Sequence, residues 1–370
     1  MAAASLDFAS QLRSSAERHV HVIVRSRSGA EGFALFGGHR PRHYFSRLYL
    51  GAREHRVRVG FHGPASAASC RTLSRDYGLV VFCGITTPPD LTNEVLQIPG
   101  FVDLAIPIPE ALDGPLARWS RSAQADIRKV QRGGFQYDVQ TGDAWVSEFH
   151  RRFYDPSMTE RHAREACTLS ARELRECTRA QGAEFLRIVR DGVWVGGCFN
   201  RSAPDGYRAH RLGWLGGAPQ LLKDGVVSAI YWFNIRRASE LGHLSVKVGA
   251  AAPHLEDGLL FFKGKWGGRL EPLSHRYGAF QLLLDPSHET CRRFLAAHSL
   301  VARGANGDAI VYSARRPSEV NVPPSVLAGV SRWYRWLERP NPSVTLTRAE
   351  VPASLRSWVV EESLDRKGVS

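Results

Sequence analysis

Cysteine is sparse and dispersed: six in 370 residues, at positions 70, 83, 167, 177, 198 and 291, with no CxxC pair. That spacing argues against zinc ribbons, thioredoxin-like redox motifs and disulfide scaffolds, and it suits a reducing cytoplasm. Long apolar runs are also missing. None approaches the roughly 18 residues that a membrane-spanning helix needs. Met1–Asp7 has no basic segment followed by an apolar one, so neither a membrane span nor a secretory signal is expected. There is no GxSxG elbow, which removes the common serine-nucleophile reading. The glycine-rich pieces Gly213–Gly217 and Gly264–Gly268 lack GxGxxG spacing between a strand and a helix, so they are not dinucleotide fingerprints. Cys198 falls in a strand, where a buried structural thiol is the default. Lysine is scarce as well, with six residues against 43 arginines.

What is present is a large hydrophobic fraction and a strong cationic surplus. Hydrophobic residues make up 43% of the chain, enough for a sizeable core. The net charge of +13 points to a polyanionic partner, such as tRNA, a nucleotide or a phospholipid. The surplus is uneven: Arg13 to Arg75 holds twelve arginines and three acids. There Arg40, Arg42, Arg47, Arg53, Arg56 and Arg58 interleave with His39, His43, Tyr44, Phe45 and Tyr49, a mixture suited to a phosphate-bearing substrate or an RNA end, or else to a composition-driven solvated face.

Periodicity divides the chain into residues 1–108, 109–316 and 317–370. In the first part, 19–26 and 55–61 alternate as half-buried strands, and 78–84 reads as a buried strand. Residues 102–107 form its last strand, followed by a helix over 109–132 that stops at Gly133-Gly134. The second part reads as a strand at 135–139, helices at 143–155 and 170–181, and a hairpin of 184–190 with 193–200 across Asp191-Gly192. Then come a strand at 207–215, a helix at 223–241, a strand at 244–249, a helix at 255–266 and a strand at 279–284. This order resembles that of a GNAT-type acyltransferase, although periodicity alone leaves it one option among several α+β arrangements. The third part, rich in Pro and Trp, is an extension that either packs on the core or serves as a partner-binding or substrate-covering appendage.

The stretch His254–Gly267 carries the most chemistry. At 100° per residue, Leu259, Phe262, Lys263 and Trp266 share one arc of a helix, while Lys265 points off it. A lysine on an apolar face needs a partner or a task. The alternatives are a snorkelling side chain whose stem covers Phe262, or an ammonium used in catalysis.

The spacing Asp257-Gly258-Leu259, Phe262-Lys263 and Trp266-Gly267 resembles the late signature of the FemABX-type aminoacyltransferases and of their FemAB-like (BioF2-like) acetyltransferase relatives. In the same order, Val102-Asp-Leu, Arg121, Ile127-Arg-Lys129 and Gly133-Gly134 are similar to that family's linker helix. Phe149, Tyr154 and Met158-Thr-Glu-Arg161 are similar to its aromatic-Met-Arg segment. The helix carrying Tyr231, Trp232 and Asn234 and closed by Leu241-Gly242 also fits. These matches span residues 100–285.

The resemblance implies an α+β fold of two tandem GNAT-like acyltransferase subdomains with mixed sheets, plus the C-terminal extension. The implied activity is transfer of an acyl group to an amine, with no metal and no dedicated cofactor. It also implies that Lys263 supports the oxyanion of the tetrahedral intermediate. A positioned cation in a partly dry cleft stabilises such charge strongly. Candidates for the proton acceptor are Asp257, Glu256, His254, His243 and His210, of which Asp257 belongs to the motif and His210 to the cleft-lining strand. Asp257 can equally start a helix. Substrate-binding candidates are Phe262, Trp266, Tyr231, Trp214, Arg161, Arg53, Arg56 and Arg58. The expected donor is aminoacyl-tRNA and the acceptor a small-molecule or peptide amine, in the cytoplasm and without DNA. The alternatives are an acyl-CoA-dependent N-acyltransferase, disfavoured by the missing Q/R-x-x-G-x-G/A loop, and a non-catalytic RNA- or glycan-associated binding protein of the same fold.

Overall fold

The alternating segments near the N-terminus do become strands, and the chain then builds two sheets before returning to the first. The computed structural model describes residues 20–25, 32–50, 56–61, 66–110, 112, 119–162, 168–273, 278–343, 346 and 348–364. The early strands are β1 (Val20–Arg25), β2 (Gly32–Gly37), β3 (Arg56–Phe61), β4 (Leu79–Cys83) and β5 (Val95–Pro99). The middle of the chain supplies β6 (Val102–Pro107), β7 (Phe135–Gln140), β8 (Ala183–Arg190) and β9 (Val193–Ala203). It continues with β10 (Gly206–Trp214), β11 (Ser245–Ala251) and β12 (Arg269–Leu270). The last part holds β13 (Ala279–Leu284), β14 (Leu300–Arg303), β15 (Ala309–Ser313), β16 (Val330–Trp336) and β17 (Val359–Glu362). The protein is α+β with mixed sheets.

Two compact units follow from the packing. One comprises Asp103–Ala250 and Phe262–Arg269; the other comprises the described residues up to Val102, Ala251–Phe261, and those from Leu270 on. The second unit holds a sheet of order β3-β1-β2-β4-β13-β5 and another of order β14-β15-β16-β17. Sequence order made Ala279–Leu284 the last strand of the middle segment. It pairs instead between β4 and β5, antiparallel to both. The physical reason is burial: β4 is buried along its whole length and needs a strand on each side to satisfy its backbone. Phe33, Phe45, Tyr49, Phe280, Phe294, Tyr334, Trp336 and Val359 belong to one core cluster, so the Pro/Trp-rich segment closes this core. Phe45 and Tyr49 are therefore packed inward from the helix His39–Leu50, not presented for base stacking. That corrects the aromatic half of the RNA-end expectation.

The first unit carries the sheet β12-β6-β11-β10-β9-β8-β7. From Phe135 to the helix before Trp266, its order of strands and helices is the one expected from periodicity. Asp191 and Gly192 take φ values of 51° and 74° and close the β8–β9 hairpin, as the Asp-Gly pair demands. The helix Arg121–Arg132 is capped by Ser120, whose Oγ accepts from Ala123 N, and it buries Ala123, Ile127 and Val130. The continuous helix expected over 223–241 is two helices, Pro219–Asp224 and Val226–Glu240, parted by Gly225 at φ 101°. Only glycine enters that region without strain. The Val226–Glu240 helix is almost wholly buried and forms the floor under the sheet.

Candidate active site

Along β10 the register with β9 slips between Ala209 and Arg211, which leaves His210 as the extra residue of a β-bulge. On its other side, β10 pairs in parallel with β11 at only two positions, Tyr207 with Val246 and Arg208 with Lys247. Both strands continue past that point, to Trp214 and to Ala251. Where the pairing stops, a small cavity of about 60 Å³ opens to solvent. It is lined by β9 and β10 at Cys198 and 209–212, by β11 at Val248, and by Ile230, Tyr231 and Asn234 of the floor helix. Strand edges without a partner and a helix floor are how this sheet makes a binding slot.

Two of the expected residues meet there: His210 and Tyr231 both line the cavity. His210 also stacks on Phe199, with ring centroids 5.7 Å apart. Tyr231 meets Phe262 edge-on at 5.0 Å and stacks on Trp266 at 6.1 Å, so these three form one aromatic cluster. Trp266 is fully enclosed, and its indole N–H has no partner among the described residues.

Lys263 is 3% exposed, and its ammonium donates to Gly249 O at 2.9 Å and Ala250 O at 2.6 Å on β11. The head group is thus inside, which removes the snorkelling alternative. Gly249 has φ 73°, a left-handed turn of the backbone that brings successive carbonyls to one side. Lys265, not Lys263, lies over the Phe262 ring, at 4.3 Å, and it pairs with Asp126 at 2.5 Å. Leu259, expected on the buried arc, is 39% exposed; the buried side of Gly258–Lys265 runs through Leu260, Lys263 and Gly264.

The other candidates are placed elsewhere. Asp257 belongs to the second unit, where its Oδ1 accepts from Leu260 N at 2.7 Å and caps the helix Gly258–Lys265. His254 and Glu256 are in that unit too, with Glu256 bound by Ser299 and Arg315. His243 Nε2 is 2.7 Å from Ser202 Oγ. Trp214 is 1% exposed, with its indole donating to Ala218 O, so it is a packing residue at the end of β10. Arg161 lies on the helix Asp155–His162 and Arg56 and Arg58 lie on β3, but their side chains are not among those described; Arg53 lies outside the described residues.

The glycines of Gly213–Gly217 serve internal approach. A Cβ at Gly213 would sit 2.7 Å from the Phe153 carbonyl, and one at Gly217 2.8 Å from Pro156 O. The Phe153 segment is a π-helical turn, His150–Tyr154, that this close contact accommodates. Cys198 is fully buried. Burial pushes its thiol up to about 12, partly opposed by the Asn234 amide and the backbone at Arg211 and His210, so it is no nucleophile at neutral pH. Among the described residues, no group of three or more His, Cys, Asp or Glu is placed to hold a metal ion. No helix among them is long and apolar enough to cross a membrane.

Sequence reasoning passed over Asn234 and Arg211 as site residues. The signal for Asn234 was there: it falls on the same apolar face as Val227, Ile230, Tyr231 and Ala238. A network behind the slot was missed entirely. Arg237 binds Glu184 through two bonds of 3.0 and 2.9 Å, and Tyr207 OH donates to Glu184 at 2.7 Å.

No protein-family model and no curated protein matches the chain. Among solved structures, the chain is similar to the C-terminal domain (DUF2156) of a protein described as a lysylphosphatidylglycerol synthetase from Agrobacterium fabrum. That likeness has 11% identity and a TM-score of 0.37 over 77% of this chain and 92% of that one. FemX matches at 10% identity and TM-score 0.38, over 70% of this chain and 83% of FemX. A GCN5-related N-acetyltransferase from Sphaerobacter thermophilus matches at 12% and 0.31, over 71% and 75%.

Proposed function

We propose that the chain is an N-acyltransferase whose acyl donor enters the slot between β10 and β11. The observation that carries this reading is the early end of the β10–β11 pairing, with the His210 bulge just beyond it. Strand edges freed in this way offer main-chain donors and acceptors to an extended acyl chain. The acceptor amine attacks the donor carbonyl, the C–N bond forms, and the C–O bond to the carrier breaks. The amine proton leaves through His210 or water and ends on the departing oxygen. The negative charge that grows on the carbonyl oxygen is stabilised by the Lys263 ammonium at the β11 edge.

Aminoacyl-tRNA is the favoured donor. A coenzyme A pyrophosphate would call for open amide N–H groups at the start of the long helix Val226–Glu240. Here Val226, Val227 and Ser228 are buried, and the Lys129 stem lies 3.4 Å from where a Cβ of Gly225 would be. The net charge of +13 supports an RNA carrier. The test is to incubate the full chain with pooled charged tRNAs and, separately, with acyl-CoAs, each with an amine mixture, and to seek amides by mass spectrometry. Amides are expected in the tRNA arm. Binding of tRNA should weaken steeply with salt and on reversing Arg53, Arg56 and Arg58 to Glu. Product in the acyl-CoA arm alone overturns the donor, and product in neither arm overturns the activity.

A further inference from the structure

Two of the residues lining the cavity, Asn234 and Arg211, each carry a buried polar atom with no hydrogen-bond partner among the described residues. Asn234 is 3% exposed, and its Nδ2 donates to Ile230 O at 2.7 Å. A carbonyl can only accept, so this bond fixes which end of the amide is nitrogen. The opposite atom, Oδ1, is buried and has no partner among the described residues. Arg211 Nε, on the bulged strand lining the same cavity, is likewise buried and unpaired. A buried acceptor and a buried donor left unmatched are each costly. An alkanoyl group entering this cavity would leave both unsatisfied. A cationic group would satisfy Asn234 Oδ1 but would share the space with the Arg211 guanidinium.

We infer that this cavity selects the transferred acyl group, and that it takes an acyl group bearing a neutral donor–acceptor substituent, a hydroxyl or a primary carboxamide. Asn234 Oδ1 accepts from that substituent and Arg211 Nε donates to it. Ile230 and Val248 enclose its carbon skeleton. The inference rests on the acyltransferase reading for calling the ligand a donor, but the pocket can be tested without turnover.

The probes are N-acetyl-L-serine methyl ester, N-acetyl-L-alanine methyl ester and N-acetyl-L-lysine methyl ester, titrated into the full chain while the Asn234 side-chain amide is followed by NMR. The serine ester should bind about threefold to tenfold more tightly than the alanine ester, the value of one net hydrogen bond, and should shift the Asn234 amide signals. The lysine ester should bind no better than the alanine ester. Asn234→Leu should abolish the serine preference, and Arg211→Met, which keeps the stem, should reduce it. Equal affinity for serine and alanine esters in the unsubstituted protein, or shifts confined to residues outside the cavity, would overturn the inference whatever the variants do. Selective serine-ester binding with no amide from any donor would sink the acyl-transfer reading and leave the pocket assignment standing. Transfer that proceeds equally from alanyl and seryl donors would do the reverse.

Discussion

Two lysines two residues apart on one helix have different tasks. Lys263 is enclosed and binds two carbonyls of β11, whereas Lys265 is tied to Asp126 and to the face of Phe262. If the Lys263 charge supports the oxyanion, Lys263→Met lowers turnover by about 10²–10³-fold. Lys263→Arg restores little of it, because a planar fork cannot replace a compact ammonium held by two carbonyls. Lys265→Met is expected to lower the melting temperature, by about 1 kcal/mol of stability, and to leave turnover within about twofold. Steady-state kinetics with thermal unfolding of the three variants checks this, and equal losses of turnover from both Met variants would point to general electrostatics. Gly213 makes a separate case at this scale. A methyl group there meets backbone atoms of Phe153 and Tyr154 that no rotamer change can clear, so Gly213→Ala should cost about 1–3 kcal/mol in denaturant unfolding.

At the scale of elements, the slot depends on how the floor helix is held beneath the sheet. Arg237, near the end of Val226–Glu240, grips Glu184 on β8, and Glu184 also accepts a hydrogen bond from the hydroxyl of Tyr207 on β10. Asn200 on β9 donates to that same hydroxyl at 2.8 Å. Helix and three strands are thereby cross-linked by one polar network. Removing one member leaves a poorly solvated carboxylate without its counter-charge. Arg237→Met should therefore destabilise by about 3–5 kcal/mol. Arg237→Met with Glu184→Leu should recover much of that loss. A single variant as stable as the parent would show that the network contributes nothing to holding the helix.

At the scale of the whole molecule, acid sensitivity should come from the unit that does not hold the slot. There the Tyr49 ring packs against His254 and His298, and Glu256 takes hydrogen bonds from the amide and hydroxyl of Ser299. Burial would raise the Glu256 carboxyl, but the His254 ring 3.6 Å away and the hydrogen bonds from Ser299 outweigh it and bring the carboxyl down to about 2. Burial lowers His298 below its ordinary 6.5, and nearby His254 adds to this, against opposing effects of Phe294 O and Glu256. Both groups release protons more readily when folded than when unfolded, so each adds stability at neutral pH that is lost on acidification. The His298 contribution starts to fall below about pH 6.5, and that of Glu256 between its unfolded value near 4.5 and about 2. Thermal unfolding followed from pH 8 to 4 should show a falling melting temperature, and His298→Gln should flatten the part just below pH 6.5. An unchanged slope in His298→Gln would remove His298 from this account.

How much of this was legible beforehand depends on the range of the forces involved. Periodicity, turn chemistry and glycine stops act over a few residues. The strand order of the middle segment, the Asp191-Gly192 hairpin, the stop at Gly133 and the place of Lys263 on an apolar helix face could therefore all be read from the residues, whereas the burial of its ammonium could not. Local pattern also located the motif helix, although one position, Leu259, fell on the wrong side of the arc. The placement of Ala279–Leu284 between β4 and β5 could not be read, because an apolar strand carries no mark of which sheet it will complete. Nor could the slot itself. A bulge at His210 and a pairing that ends after Arg208 are properties of two strands in register, and the sequence of one strand does not contain its partner. The unmatched oxygen of Asn234 is of the same kind: its identity is in the chain, but its isolation arises only when helix, bulge and splayed strand come together around it.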